Sequence, residues 1–498
     1  MQYILPSKES LMNGPSPSLQ REAEKTLTLM QVAMGNHPAD MALTNANVLN
    51  VYTGELLENL TICTFESWIA YVGKEPGHAI GDHTEVIDVE GKTVIPGFID
   101  GHAHLAWLAS PEAFLKYAAS GGTTTIITET MESYPVGGLA AVVDFLESCH
   151  GQPIRILATA PAMASISAAA RGVAPGDLAT LLSREEIVGL GESYWQAVLQ
   201  EPDAYLPAFE AVHRAGKPLE GHSAGASERK LAAYLAAGVS SCHEPIDADQ
   251  VLVRLRQGMH VMVREGSIRR DLEAISRIRS SGADLRRLIL ASDGASPQDL
   301  LQGKYMDYVV RKAVTCGFTP VQAIQMATLN VAEHFRLDGL MGGIAPGRLA
   351  DMVLIPDPTE FAPRTVICNG RVIFEEGRLT AAPRRHQFAP QSLNTVKLTR
   401  RLAPADFVIA SKAGAARARV RVIEMVTDLV TAERHIELPV SNDELRADPG
   451  AGRCKIAAVD RTHTPGRLFT GFIQGFGLTR GAVACSSAWD TSDIVVVG

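Results

Sequence analysis

Short apolar segments alternate with helix-compatible segments across the middle of the chain. Eight of these segments read as strands, each followed by a helical stretch, within about 240 residues. They are Ile99–Leu105, Thr123–Thr128, Ile154–Ala160, Ile187–Glu192, Pro218–His222, Val239–His243, His260–Arg264 and Leu288–Asp293. This number, length and rhythm predict a (β/α)8 barrel of the TIM type over residues 96–340. The sequence Thr-Pro-Val-Gln at 319–322 predicts a capped helix that runs on to Phe335 and closes the barrel region.

The pattern changes on both sides of this region. Residues 39–95 and 341–380 contain short β-rich segments punctuated by Gly and Asn, which predict one composite β-sandwich domain built from both flanks. Residues 1–38 form an N-terminal helical segment, with an amphipathic helix over 18–34 opened by a Ser cap. Residues 398–498 are expected to form a C-terminal α/β domain.

Composition excludes several classes of protein. The 498-residue chain is 46% hydrophobic and 20% charged with a net charge of −9, and no long basic run marks a nucleic-acid-binding surface. No apolar stretch is long enough to span a membrane, and the N-terminus lacks the pattern of a secretory signal. Seven scattered cysteines without a CxxC motif indicate a reduced, cytoplasmic protein.

Candidate metal ligands fall at the ends of five predicted strands. The side chains of His102 and His104, two positions apart on a strand, point to the same face, although a lone His-x-His pair is weak evidence of a site. Because the C-terminal strand ends of a barrel meet at one rim, further ligands at other strand ends would lie nearby. The full set is His102, His104, Glu192, His222, His243 and Asp293. Any one of these could be an ordinary buried polar residue, but six at one rim predict a binuclear metal site.

The motifs around these residues carry a family resemblance. They include PGFIDGHAHL, GGTTTIITE, VGLGE, LEGHSAGASERKLAAYLAAGVSSCHE, GMHVMVREGS and GGIAPGRLADMVLI, in this order, followed by GFGLTRGAVA near the C-terminus. In them the chain resembles the amidohydrolase superfamily and, more closely, bacterial adenine deaminases. The resemblance implies a small-molecule substrate and a homo-oligomer, a dimer or larger.

The resemblance also assigns the ligands to two divalent cations. His102, His104 and Asp293 would hold one cation, and His222 and His243 would hold the second. Imidazole and carboxylate ligands without a thiolate suit Mn, Fe or Zn, with Mn or Fe favoured.

The resemblance also gives Glu192 and Asp293 catalytic roles. Glu192 would bridge the two cations where many relatives use a carbamylated lysine, and Lys217, the only lysine near a strand end, precedes its strand. Two cations lower the pKa of a bridging water and so provide a hydroxide nucleophile. Asp293 would take the proton of that water and deliver it to the leaving nitrogen. The resemblance thus implies conversion of adenine and water to hypoxanthine and ammonia.

Five residues are candidates for substrate binding. Trp107 follows the His-x-His motif, Glu132 follows the second predicted strand, and Glu244 directly follows His243. Arg264 and Glu265 end the seventh predicted strand, where a guanidinium and a carboxylate could read a purine-like edge. Alternatively, Arg264 and Glu265 form an ion pair with each other that orders the rim.

The chain departs from the adenine deaminase pattern at substrate-facing positions. Leu105–Leu108 replaces Ile-Glu-Ser-Ser, Glu129–Glu132 replaces Asp-Pro-His-Glu, and Asp293–Ala295 replaces Asp-Asp-Arg. Near the C-terminus, Trp489–Asp493 lacks the two histidines of the family's His-Asp-Ser-His-Asn, and the last domain is expected to be truncated at Gly498.

These departures leave two alternative functions open. One is an amidohydrolase that acts on a cyclic amide or another non-adenine amide, in a more apolar pocket shaped partly by Trp107. The other is an incomplete or inactive relative that needs a partner chain.

Overall fold

The computed structural model describes residues 22–75, 77–107, 109–164, 172–427, 430–487 and 491–498. These residues form two compact units. The barrel unit contains the described residues of Met1–Met131, Val143–Ala164 and Ala169–Gln387. The C-terminal unit contains those of Glu132–Val142 and Phe388–Gly498.

The barrel unit begins with a helix and five strands. Helix α1, Ala23–Ala33, lies within the predicted helical segment, and the expected Ser18 cap falls outside the described residues. Its apolar face buries Leu29 and Val32. The strands that follow are β1 Met41–Asn50, β2 Glu55–Phe65, β3 Trp68–Gly73, β4 Glu85–Asp88 and β5 Thr93–Pro96.

Eight strands of the barrel follow. They are β6 Phe98–Ala103, β7 Thr123–Thr128, β8 Arg155–Ala160, β9 Ile187–Tyr194, β10 Leu219–His222, β11 Ser241–Cys242, β12 His260–Arg264 and β13 Leu288–Ala291. Strands β6 to β10 form one parallel sheet, and β11 to β13 form a second. The sheets meet where Ser240 N–H donates to the Leu219 carbonyl (2.9 Å) and where Asp293 N–H donates to the His102 carbonyl (2.9 Å). The predicted TIM-type barrel is confirmed.

Twelve helices, α2 to α13, accompany the barrel strands along the described part of the chain. All lie within the barrel unit except α3, whose first residues, up to Val142, are grouped with the C-terminal unit. They are α2 Pro111–Ser120, α3 Tyr134–Cys149, α4 Pro175–Leu182, α5 Trp195–Gln200, α6 Pro202–Arg214, α7 Glu228–Ala236, α8 Ala248–Arg256, α9 Leu272–Ile275, α10 Pro297–Leu301, α11 Met306–Thr315, α12 Pro320–Met326 and α13 Leu329–His334, with a 3-10 turn at Ser276–Ser281. Burial on both faces explains why β6, β7 and β8 contain only buried residues.

The helix predicted from Pro320 has the expected cap but not the expected length. Thr319 and Gln322 form a reciprocal capping box around Pro320. The helical region then breaks between α12 and α13. There the Thr328 hydroxyl donates to the Ile324 carbonyl four residues back (2.6 Å), a bond by which Thr competes with regular helical geometry.

Four strands after the barrel complete the sheet that precedes it. They are β14 Met352–Ile355, β15 Thr365–Cys368, β16 Arg371–Glu375 and β17 Arg378–Leu379. Strand β14 lies antiparallel to β5, with Met352 opposite Pro96, so both flanks of the barrel contribute to one nine-stranded sheet. The domain boundaries drawn from the sequence remain predictions.

Beyond the start of α3, the regular structure of the C-terminal unit is mostly strand. After the short helix α14, Pro390–Leu393, come β18 Ile409–Ala410, β19 Arg417–Met425, β20 Thr431–Pro439, β21 Glu444–Leu445, β22 Arg453–Val459, β23 Leu468–Gln474, β24 Val483–Cys485 and β25 Ile494–Val497, with 3-10 turns at Pro404–Phe407 and Pro449–Ala451. The expectation of an α/β domain over 398–498 is wrong, because its described residues contain no α-helix. In β19 the sequence RARVRVIEM alternates with the period of two that suits a strand.

Two further properties concern the chain as a whole. Among the described residues, none of the helices combines the length and apolar character that crossing a membrane requires. All seven cysteines are free thiols, and Cys485 is the exposed one.

Candidate metal centre

All six predicted ligands come together at the C-terminal rim of the barrel. Three of them, His102, His104 and Asp293, group at the junction of β6 and β13. Nε2 of His102 lies 3.6 Å from Oδ1 of Asp293, and Nε2 of His104 lies 3.4 Å from the same oxygen. One carboxylate oxygen therefore faces both imidazoles, as the ligands of a single cation would.

The backbone fixes this first group. Asp293 N–H donates to the His102 carbonyl, and its own carbonyl accepts from His104 N–H (2.8 Å). Asp293 adopts a left-handed φ of 60°, a conformation that is uncommon outside glycine but tolerated by Asp. The turn that follows β13 thus aims the carboxylate back at the histidines of β6.

The second group lies at the ends of β9, β10 and β11. Oε2 of Glu192 is 3.1 Å from Nδ1 of His222 and 2.9 Å from Nε2 of His243. Burial raises the pKa of Glu192, but electrostatic interaction and hydrogen bonding with His243 and His222 outweigh it and hold the pKa well below its usual range. The Glu192 carboxylate is therefore ionised and faces both imidazoles.

Glu192 also lies next to the first group. Its Oε1 is 3.9 Å from Nε2 of His104, and the His102 and His243 rings stack with centroids 4.2 Å apart. His102, Glu192 and His243 themselves form a set with metal-ligand spacing. The two groups are thus contiguous, with Glu192 between them.

The chemistry of His102 fits a bound cation. Its Nε2 atom is buried and has no hydrogen-bond partner within the described residues. Burial, reinforced by the neighbouring His243 and His104, lowers the pKa of His102 well below its ordinary value. The ring is therefore neutral, which is the form that binds a metal. A buried imidazole nitrogen that lacks a partner costs free energy unless a bound ion satisfies it.

Glu129, at the end of β7, is a member of the site that the sequence did not identify. Its Oε1 accepts a hydrogen bond from Glu192 N–H (3.2 Å) and lies 3.7 Å from Nδ1 of His102. A carboxylate behind a ligating histidine orients the ring and raises its basicity. The available signal was position, because Glu129 follows a barrel strand as the predicted ligands do.

Asp100, two residues before His102, anchors β6 to β13. Its Oδ2 accepts from the Ser292 hydroxyl (2.5 Å) and the Tyr305 hydroxyl (2.6 Å), and its Oδ1 accepts from Ser292 N–H (3.0 Å). Burial raises the pKa of Asp100 in spite of these donors. This buried network joins the strand that carries the His-x-His motif to the residue before Asp293.

Arg264 lies beside both groups. Its Nη1 is 2.6 Å from Oε1 of Glu244 and 3.3 Å from Oδ2 of Asp293, and its Nη2 is 3.4 Å from Oδ2 of Asp271. Only 4% of the side chain is exposed, so three carboxylates already surround a guanidinium that has little access to a substrate. Glu265, the alternative partner, instead accepts from Nζ of Lys312 (2.6 Å). The alternative in which Arg264 and Glu265 pair with each other is therefore wrong.

The other substrate-binding candidates lie in different surroundings. Glu244 faces His222 and His243, and the three residues form a further set with metal-ligand spacing. Trp107 is half-buried in the turn after β6, where its backbone N–H donates to the His104 carbonyl (3.3 Å). Glu132 is grouped with the C-terminal unit. Substrate contacts by Trp107 and Glu132 remain predictions.

Two family profiles match the chain. One, described as the amidohydrolase family, covers residues 93–373, and the other, described as the adenine deaminase C-terminal domain, covers residues 428–498. The first spans the whole barrel and more than half of the sequence.

Curated relatives match over nearly the whole chain. A protein of Clostridium botulinum (strain Loch Maree / Type A3) named adenine deaminase is 34% identical over 484 residues, which are 95% of this chain and 80% of the relative. A protein of Moorella thermoacetica with the same name is 35% identical over 491 residues, which are 97% of this chain and 82% of the relative. Adenine deaminase 3 of Rhizobium meliloti is 34% identical over 490 residues, which are 96% of this chain and 82% of the relative.

Solved structures share the fold at low sequence identity. L-hydantoinase (dihydropyrimidinase) from Arthrobacter aurescens has a TM-score of 0.52 at 14% identity and covers 69% of this chain and 98% of its own. A β-aspartyl dipeptidase from Fervidobacterium islandicum AW-1 has a TM-score of 0.51 at 16% identity, covering 68% and 97%. The chain belongs to the amidohydrolase family, in the branch whose curated members are named adenine deaminase.

Proposed function

We propose that the chain is a metal-dependent deaminase that hydrolyses the exocyclic C–N bond of adenine, giving hypoxanthine and ammonia. The observation that carries this proposal is the grouping of four histidines with Glu192 and Asp293 at the barrel rim, in a chain 34% identical to relatives named adenine deaminase. We further propose two divalent cations, Mn²⁺ or Fe²⁺ with Zn²⁺ possible, in a cytoplasmic homo-oligomer.

The proposal assigns each metal ligand to one of the two cations or to both. His102, His104 and Asp293 would hold one cation, His222 and His243 the other, with Glu192 shared. When bound, such a pair of cations supplies Lewis-acid chemistry that activates water near neutral pH.

Asp293 is suited to move the proton. Its Oδ1 faces the two histidines of β6, while Arg264 contacts Oδ2 at 3.3 Å and fixes the carboxylate plane. Burial raises the pKa of Asp293, but the hydrogen bond and charge of His104, with His102 and Arg264, outweigh it and lower the pKa, so the carboxylate is ionised, the form that a general base requires. It would take the proton of the attacking water and donate it to the departing nitrogen of the substrate.

The departures after His104 and Asp293 favour a second candidate function. Trp107 stands where the related pattern has a serine, and Gly294–Ala295 replaces an Asp-Arg pair. A site that has lost polar partners discriminates less well for a hydrogen-bonding substrate. The second candidate is therefore hydrolysis of a cyclic amide or another non-adenine amide.

One experiment separates the candidates. The chain, loaded with Mn²⁺, is assayed for ammonia release from adenine and for ring opening of a hydantoin and a dihydropyrimidine. Asp293→Asn serves as the background control in each assay. Ammonia release from adenine above that background supports the deaminase, whereas ring opening without ammonia release rejects it in favour of the cyclic amidase. No turnover of any of the three substrates would reject both adenine deamination and cyclic-amide hydrolysis.

A further inference from the structure

The Glu244 carboxylate lies beside the second pair of histidines, His222 and His243. Its Oε1 is 3.3 Å from Nε2 of His243 and 3.5 Å from Nδ1 of His222. Only 8% of the side chain is exposed. The carboxylate is therefore directed at the imidazole nitrogens and away from solvent.

These separations match the distances between neighbouring ligand atoms around one metal ion. Bonds of about 2.0–2.2 Å to one cation place tetrahedral ligand atoms roughly 3.3–3.6 Å apart and adjacent octahedral ones roughly 2.8–3.1 Å apart. Oε1 of Glu244 is 3.3 and 3.5 Å from the two imidazole nitrogens. Oε2 of Glu192 is 2.9 and 3.1 Å from the same nitrogens. The two imidazole nitrogens thus each face one carboxylate oxygen of Glu192 and one of Glu244.

Arg264 holds Glu244 in this orientation. Its Nη1 donates to Oε1 of Glu244 at 2.6 Å and also contacts Asp293, while Nη2 lies 3.4 Å from Asp271. A carboxylate oxygen has more than one lone pair, so it can accept from Arg264 and still face a cation. Partners of this kind orient metal ligands.

We propose that Glu244 is a ligand of the second cation, together with His222, His243 and Glu192, and that Arg264 positions it. This inference rests on the two-cation site of the proposed function. It gives the second cation four protein ligands where the resemblance implied three. It also removes Glu244 from the residues that would recognise the substrate.

The test measures Zn²⁺ binding without reference to activity. Chelator-treated parent, Glu244→Gln and Asp271→Asn chains are titrated with Zn²⁺ by calorimetry, and native mass spectrometry counts the bound ions. Asp271→Asn is the matched control, because it removes a carboxylate from Arg264 that does not face the histidines. Where Glu244→Gln fails to fold, Glu244→Asp keeps the negative charge but withdraws the oxygen. Visible spectra of the Co²⁺-loaded chains report a change in coordination directly.

We expect the parent to bind two Zn²⁺ and Glu244→Gln to bind one of them at least tenfold more weakly, with an altered Co²⁺ spectrum. Asp271→Asn should keep both affinities within twofold and the parental spectrum. Unchanged affinities in Glu244→Gln, or equal losses in both variants, would overturn direct ligation. A parent that binds fewer than two Zn²⁺ would instead reject the two-cation site itself, and the inference with it.

Discussion

Gly191 leaves the space that the carboxylate of Glu129 occupies: a Cβ at Gly191 would lie 2.1 Å from Oε2 of Glu129. The carbonyl of Ala160 would be 3.1 Å from the same Cβ, so the backbone cannot move away freely. Because Glu129 contacts both His102 and the N–H of Glu192, this glycine determines how closely β7 and β9 support the metal ligands. The motif VGLGE therefore contains a packing requirement next to its ligand.

Gly191→Ala should displace Glu129 and weaken the site. Overpacking of this kind lowers the free energy of unfolding by about 1–3 kcal/mol, and metal affinity should fall with it. Urea unfolding and Zn²⁺ titration measure the two effects. Gly176→Ala is the control, because a Cβ there meets nothing within 4 Å. Equal stabilities and affinities for the two variants would contradict this account of Gly191.

Asp293→Asn tests the proposed proton transfer. The amide keeps the shape of the side chain but cannot accept the proton, so kcat should fall by about 10²–10⁴-fold while most of the metal stays bound. Steady-state kinetics and metal analysis of the same sample provide the measurement. Exposed Asp338→Asn should stay within about twofold of the parent, since surface changes are mostly neutral. Activity of Asp293→Asn within about tenfold of the parent would reject the role.

Glu192→Gln tests the shared ligand. A neutral amide next to His222 and His243 removes the charge that would balance two cations, so the chain should retain fewer than two metal ions after gel filtration. Mass spectrometry under native conditions counts them. Glu210→Gln, on an exposed helix face, serves as the control. A two-metal stoichiometry equal to the parent's would argue against a bridging Glu192.

The barrel was predictable because its signals are local. Most of the strands are short apolar runs, and each predicted ligand stands at or near the end of a strand, which places that residue at the rim. The structure brings together His102 and Asp293, 191 positions apart in sequence, without any direct pairing signal between them. The geometry of the barrel supplies that proximity.

Features that depend on contacts distant in sequence were not predictable. Nothing local pairs Arg264 with Glu244 and Asp293 rather than with the adjacent Glu265, whose partner is Lys312. Likewise, the sequence of β7 does not reveal that Glu129 lies behind His102. The partners of these charged side chains are determined by side-chain packing at the rim, to which all eight strands contribute.

Tyr305→Phe tests the anchor between β6 and β13. The variant removes one hydrogen bond to buried Asp100 and leaves the two from Ser292, so the free energy of unfolding should fall by about 1–3 kcal/mol. Chemical denaturation measures this change. Tyr308→Phe, half-buried on α11, should change stability by less than about 0.5 kcal/mol. A Tyr305→Phe variant as stable as the parent would show that the Asp100 network does not need the hydroxyl.

Glu186 should make the stability of the chain depend on pH in acid. Its carboxylate contacts Arg184 at 2.5 Å and Nε2 of His150 at 3.2 Å, and these partners outweigh burial and lower its pKa to about 2. A carboxylate with a pKa lowered by folding stabilises the chain above its unfolded pKa, near 4.3, and this stabilisation is lost as the pH falls towards 2.

Glu186→Gln should therefore be less stable than the parent at pH 6, by at most about 2 kcal/mol after allowance for solvent screening. The difference should shrink steadily below pH 4.5 and vanish near pH 2. Urea unfolding of the metal-free chains across this range measures it, so that proton competition at the metal ligands does not contribute. Glu210→Gln, an exposed carboxylate paired with Arg214, should show no such pH-dependent difference. A parent–variant difference that stays constant from pH 6 to pH 2 would contradict a lowered pKa for Glu186.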